Sequence, residues 1–80
     1  MRDFTDEQGE AWKAIAVDAV VAHGRAGAAL AFAKGAGDTE PIVTSVTFNS
    51  RAAADFALRT IGVTELRRRL TLAKAAIVGI

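Results

Sequence analysis

The sharpest chemistry-bearing feature of the sequence is the run Arg67-Arg68-Arg69, followed by Lys74 seven residues after Arg67. A guanidinium presents a planar fork of donors that suits carboxylate or phosphate oxygens. On a helix, three consecutive residues fan through about 200°, so one arginine cannot share a site with both others. Two readings stand side by side: a docking face for anionic groups, or a solvated flank with ordinary charge pairs. The tail Ala75–Ile80 adds the aliphatics Ile77, Val78 and Ile80. They suit a partner or lipid surface, or they fray. The candidate partner-binding residues are therefore Arg67, Arg68, Arg69, Lys74, Ile77, Val78 and Ile80.

Other side chains offer less. The chain has no cysteine, no tyrosine and one histidine. That excludes a disulfide, a thiolate metal site and a thiol nucleophile. His23 lies in a glycine-flanked turn without the partners a metal site needs. Ser45 and Ser50 have only this distant histidine to activate them. The glycines at 24 and 27, and at 35 and 37, match no phosphate-loop spacing and read as turns. Asp3, Asp6, Glu7 and Glu10 lack the pattern of a calcium loop. Nothing in the sequence implies the burial that an acid/base pair requires, so they read as a solvated or partner-facing patch. Trp12, the single indole, is either an interface anchor or a core residue among alanines, and the core is preferred. The expectation is a protein that is not an enzyme, with no cofactor, no metal and no small-molecule substrate.

These residues must be positioned by a small frame. Eighty residues make one domain, 1–80. A chain of that size buries only about 60–65% of the surface its unfolded form exposes. Although 51% of the residues are hydrophobic, 18 are alanine, so the core must be thin. The net charge of +1 divides unevenly, −3 over residues 1–40 and +4 over residues 41–80. An acidic end and a basic end would favour oriented docking. A nucleic-acid binder would show a stronger basic excess. The opening residues are mixed in charge and do not resemble a targeting segment. The longest stretch without strongly polar residues in the first half is Ala26–Ala33, well short of the roughly 20 residues that span a bilayer. The expected location is cytoplasmic, or peripheral on the cytoplasmic side of a membrane complex, with no transmembrane segment of its own.

The clearest strand is 41–48, where Ile42, Thr44, Val46 and Phe48 share one face and Val43, Ser45 and Thr47 the other. A lone strand needs partners, and 10–18 and 26–34 are the available ones. Trp12, Ala14 and Ala16 then alternate with Lys13, Ile15 and Val17, and Ala28, Leu30 and Phe32 form the next face. The alternative is a helical N-terminal half, with Thr5 and Gln8 as a capping box and Trp12, Ile15, Ala16, Ala19 and Val20 on one stripe. Two helices follow, at about 50–61 and 64–76. Asn49 or Ser50 caps the first, and Gly62 ends it in a left-handed conformation. Gly62 or Val63 caps the second, and Leu66, Leu70, Ala73 and Ile77 form its apolar stripe. The expected fold is α+β: a three-stranded antiparallel meander with two C-terminal helices packed on one face.

The combination Asp6-Glu7-Gln8-Gly9 with Trp12, then Phe48-Asn49-Ser50, then Ala53, Leu58 and Arg59-Thr60, then Glu65-Leu66-Arg67-Arg68-Arg69-Leu70 resembles a family of short, functionally uncharacterised bacterial proteins. The resemblance runs from Phe4 to Ala73. The chain departs from that pattern in having Phe48 where an indole is commoner, and in its alanine-rich middle. The family supplies no catalytic residues to carry over. What the resemblance implies is a small membrane-extrinsic polypeptide of the kind that holds a photosynthetic reaction centre within its light-harvesting ring.

Two functions are therefore expected, in order. The first is a non-catalytic structural subunit that docks on a larger protein complex, the reaction-centre assembly being its narrower version. The alternative is a small nucleic-acid-binding domain that contacts phosphates through Arg51, Arg67, Arg68, Arg69 and Lys74. Near-neutral charge and the lack of aromatics for base stacking count against the second.

Overall fold

Side-chain alternation decides the first half of the chain. In the computed structural model, which describes residues 1–21, 24–34 and 40–78 (side chains through 76), Trp12 and Ala14 are buried while Lys13 and Ile15, which alternate with them, are only half-buried. That period of two belongs to a strand, and among the described residues of the N-terminal half the helical alternative does not occur. Among the described residues four strands form: β1 (Arg2–Thr5), β2 (Ala11–Val20), β3 (Ala26–Lys34) and β4 (Ile42–Phe48). They pair antiparallel in the order β1-β2-β3-β4. Two helices follow, α1 (Arg51–Thr60) and α2 (Val63–Val78). The class is α+β, as expected, but the meander has four strands rather than three.

The additional strand is β1. Its sequence Arg-Asp-Phe-Thr has one large apolar residue, and Asp is depleted in strands. Pairing supplies what local propensity does not. Phe4 lies opposite Trp12 and Arg2 opposite Ala14, and the Phe4 ring meets Phe32 edge-on, with 5.8 Å between centroids.

The strand β4 is irregular. Ala29 pairs with Thr47 and Ala31 with Val43, so Leu30 faces the bulged stretch 44–46. The two extra residues preserve parity, and Ile42 and Phe48 both point toward the helices. Thr44 closes the gap, its Oγ1 donating to the Leu30 carbonyl at 2.9 Å and accepting from the Val46 N–H at 3.1 Å.

Ser50 caps α1 as expected, its Oγ accepting from the Ala53 N–H at 3.1 Å. The other end departs from expectation. Ile61, in an extended conformation, terminates the helix, and Gly62 has no positive φ. Arg2 takes the place of a glycine cap. Its guanidinium donates to the carbonyls of Leu58 and Ile61 at 3.2 and 2.8 Å, where the negative end of the helix dipole favours a cation. Gly62 serves α2 instead, its carbonyl accepting from the Leu66 N–H.

Both helices cover the same face of the sheet. The core between them holds Phe4, Trp12, Ala14, Leu30, Phe32, Leu58, Leu66, Leu70 and Ala73. Among the described residues no helix is long and apolar enough to cross a membrane.

Candidate interaction surface

Among the described residues, the turn between β1 and β2 contains the most concentrated polar chemistry. Asp6 accepts the backbone N–H groups of Gln8 and Glu10 on Oδ1, both at 2.9 Å, and the Trp12 indole N–H on Oδ2 at 2.9 Å. Gly9, at φ 83°, supplies the left-handed residue that closes the turn. Lys74 from α2 brings its Nζ to 3.5 Å from Asp6 Oδ2 and 4.9 Å from the Trp12 ring centroid. Burial raises the Asp6 pKa, but the bonds from Glu10, Trp12 and Gln8 and the Lys74 charge outweigh it and hold the carboxyl below its ordinary value. Asp6 is 7% exposed, which corrects its reading as part of a solvated patch. Its neighbours Asp3, Glu7 and Glu10 are exposed, as that reading required. Trp12, 3% exposed, is the core residue expected. The signal for this knot was present in the Asp-x-x-Gly-x-x-Trp spacing. Local pattern alone does not reveal that the aspartate turns inward.

The arginine run divides. Arg67 Nε donates to the Thr5 carbonyl at 2.8 Å and Nη2 lies 3.4 Å from Thr5 Oγ1, which ties α2 to the end of β1. Arg68 and Arg69 both return to Glu65, at 3.1 and 2.8 Å. Arg67 and Lys74 share the flank above the β1–β2 turn, while Arg68 and Arg69 form a separate local cluster. Ile77 and Val78 belong to α2, but their side chains, like all of Ile80 and His23 and the glycines at 35 and 37, lie outside the described residues. Arg51 is elsewhere. It donates to the Ala16 carbonyl at 3.0 Å and to Asp18 at 2.9 Å, six residues along β2 from Trp12, or about 20 Å.

The expected division into an acidic and a basic end is also modified. Arg51–Asp18 and Lys74–Asp6 each join a cation of the second half to a carboxylate of the first. The two halves are folded against each other, and the charge asymmetry of the sequence is partly neutralised within the molecule. Phe56 on α1 is 60% exposed, so one aromatic does stand free on the surface.

The other face of the sheet is a different kind of surface. Strand alternation sends Lys13, Ile15, Val17 and Ala19 of β2, Gly27, Ala29, Ala31 and Ala33 of β3, and Val43, Ser45 and Thr47 of β4 away from the helices. Among the described residues no element lies over the β2 and β3 part of this face, while at the β4 edge Val43 and Ser45 share a cavity with Arg69, Leu72 and Ala76 of α2. Ile15 faces Ala31 across the ladder, and Ala31 faces Val43. Val17 likewise faces Ala29, which faces Thr47. The alanines are sunk, at 2% and 0% exposure, between taller neighbours, whereas Val43 is 59% exposed. A low floor along β3 thus runs between ridges on β2 and β4. The charged residues on this side are Asp3 and Lys13, paired opposite each other at one margin. Sequence reasoning identified the alternation of Lys13, Ile15 and Val17 but assigned that side no role. The available signal was arithmetic: two helices cover one face of a sheet, and both faces of this one are apolar.

The chain matches no protein-family model, and no curated protein or solved structure matches it.

Proposed function

We propose that this chain is a non-catalytic interaction domain that docks on a larger protein assembly by burying the open face of its sheet. The observation that carries this reading is the strip Ile15, Val17, Ala29, Ala31 and Val43, apolar and without a covering layer among the described residues. Sheets with two apolar faces are stable when both are packed, and depletion of charge marks the centre of an interface. The open face has that depletion, and the outer surfaces of α1 and α2 do not.

The remaining conspicuous residues are occupied in supporting the fold. Asp6, Gly9 and Trp12 shape the first turn, Ser50 caps α1, Leu66 and Leu70 fill the core, and Arg67 secures β1. Phosphate recognition by the five cations has less behind it, because each is matched to an acceptor within the chain and Arg51 is distant from the others.

A photo-crosslinking residue placed at position 17 or 43, with position 55 on α1 as control, tests the proposal in source cells. The expected result is a covalent adduct heavier than the chain from positions 17 and 43 and none from position 55. The same adduct pattern at all three positions, or no adduct at 17 and 43, would sink it. Mass spectrometry of the adduct then identifies the assembly. A reaction-centre or light-harvesting polypeptide there is the outcome that the family resemblance implies.

A further inference from the structure

We infer that the open face is taken by a second copy of this chain, in a two-fold, face-to-face sheet sandwich. The inference rests on the docking reading above and adds the identity of one occupant. Its first support is shape. Tall residues, Ile15 and Val17, stand on β2, and short ones, Ala29, Ala31 and Ala33, lie on the adjacent β3. A dyad lying in the interface and running along the strands between β2 and β3 places β2 of each copy over β3 of the other. Each ridge then enters the partner's alanine floor, which is the self-complementarity a two-fold interface requires. Aligned packing of two sheets about 10 Å apart has this arrangement.

The second support is charge. The same dyad keeps each residue at its height along the strands, so β1 of one copy lies over the start of β4 of the other, near Ile42, and the centre formed by Ile15, Val17, Ala29 and Ala31 stays uncharged. The face carries one acid and one base, Asp3 and Lys13, and two copies meet without excess charge.

The third is area. Four strands about 4.8 Å apart and four to ten residues long present on the order of 500 Å² per copy. The total of about 1,000 Å² is at the lower limit for a specific interface. Association is therefore expected in the micromolar range or weaker, and to depend on concentration.

Sedimentation equilibrium of the purified full chain, from about 10 µM to about 1 mM, tests this. The expected mass rises from 8.4 kDa toward twice that value. Val17→Lys holds the mass at one copy across the range, with an unchanged far-ultraviolet circular dichroism spectrum. Should Val17→Lys fail to fold, Val43→Lys, at a position already 59% exposed, replaces it and is expected to weaken association at least tenfold. A dimer that survives the folded variant overturns the inference, because another face must then hold it. A wild-type chain that stays monomeric up to 1 mM also overturns it. The docking reading then stands or falls separately, on whether positions 17 and 43 crosslink to a different polypeptide in cells.

Discussion

The two faces of this sheet are built from the same alternating strands and differ in the size of what they present. Toward the helices point Phe4, Trp12, Leu30 and Phe32, all under 9% exposed. Away from them point Ile15, Val17 and Val43 over a floor of alanines. Large, deeply interlocked side chains define a core that excludes water by depth. Small, flat ones define a surface that becomes dry only when something of similar flatness is laid on it. Substitutions on the first face should therefore be felt by the folded monomer, and those on the second by association.

The largest effect is expected on the covered face. Phe32→Ala empties a fully buried site where Phe4 packs edge-on. A loss of about 3–5 kcal/mol is expected, against a total near 4–12 kcal/mol for a domain of this length. Urea titration should show a transition moved far toward zero denaturant; a shift under about 1 kcal/mol would contradict the packing described. Gly27→Ala should come next. An added Cβ would lie 2.5 Å from the Phe48 carbonyl oxygen and 2.7 Å from Val21 Cγ1. Overpacking of that kind costs about 1–3 kcal/mol, visible as a lowered thermal midpoint.

Asp6→Asn should have a smaller, pH-conditional effect. The Asp6 pKa is lowered in the folded protein, so the unfolded chain binds the proton first as pH falls. The stabilising contribution is complete above the ordinary carboxylate pKa of about 4 and is lost as pH drops through the lower folded value. The melting temperature of the wild type should exceed that of the variant at pH 7, and the gap should close below pH 4. A gap that persists unchanged at pH 2 to 3 would show that the ionised form is not what matters. The smallest effect on the monomer is expected from Val43→Ala on the open face, within about 0.5 kcal/mol by the same titration at low concentration. A large loss there would mean that the face is already packed within one chain.

Much of the frame was legible in the sequence. The strand at 41–48 was readable because β-branched and aromatic residues alternate there, whereas those at 10–18 and 26–34 followed only from its need for partners, their alanine-rich sequences suiting a helix as well. The helices were readable from the Ser50 cap and the Leu66, Leu70, Ala73 stripe. The inward role of Trp12 followed from its being the one large ring in an alanine-rich segment. What escaped were features supported by distant partners. β1 has weak propensity and exists because β2 accepts it. The bulge in β4 is closed by a hydroxyl bonded to the neighbouring strand. The end of α1 is capped by Arg2, some 56 to 59 residues away in sequence.

The arginine run teaches the same lesson from the functional side. Its composition suggested a docking face, and its helical spacing already showed that the three side chains diverge. Their assignment to Thr5 and Glu65 depended on where β1 and the first turn of α2 came to lie. Taken alone, the sequence determined the periods, the caps and the scarcity of large apolar side chains, because each is a property of neighbours along the chain. Only the tertiary structure decided which carboxylate is buried, which cations are engaged and which face of the sheet is left open. Those outcomes depend on pairing across the chain, where register and layer order, rather than local preference, set each side chain's surroundings.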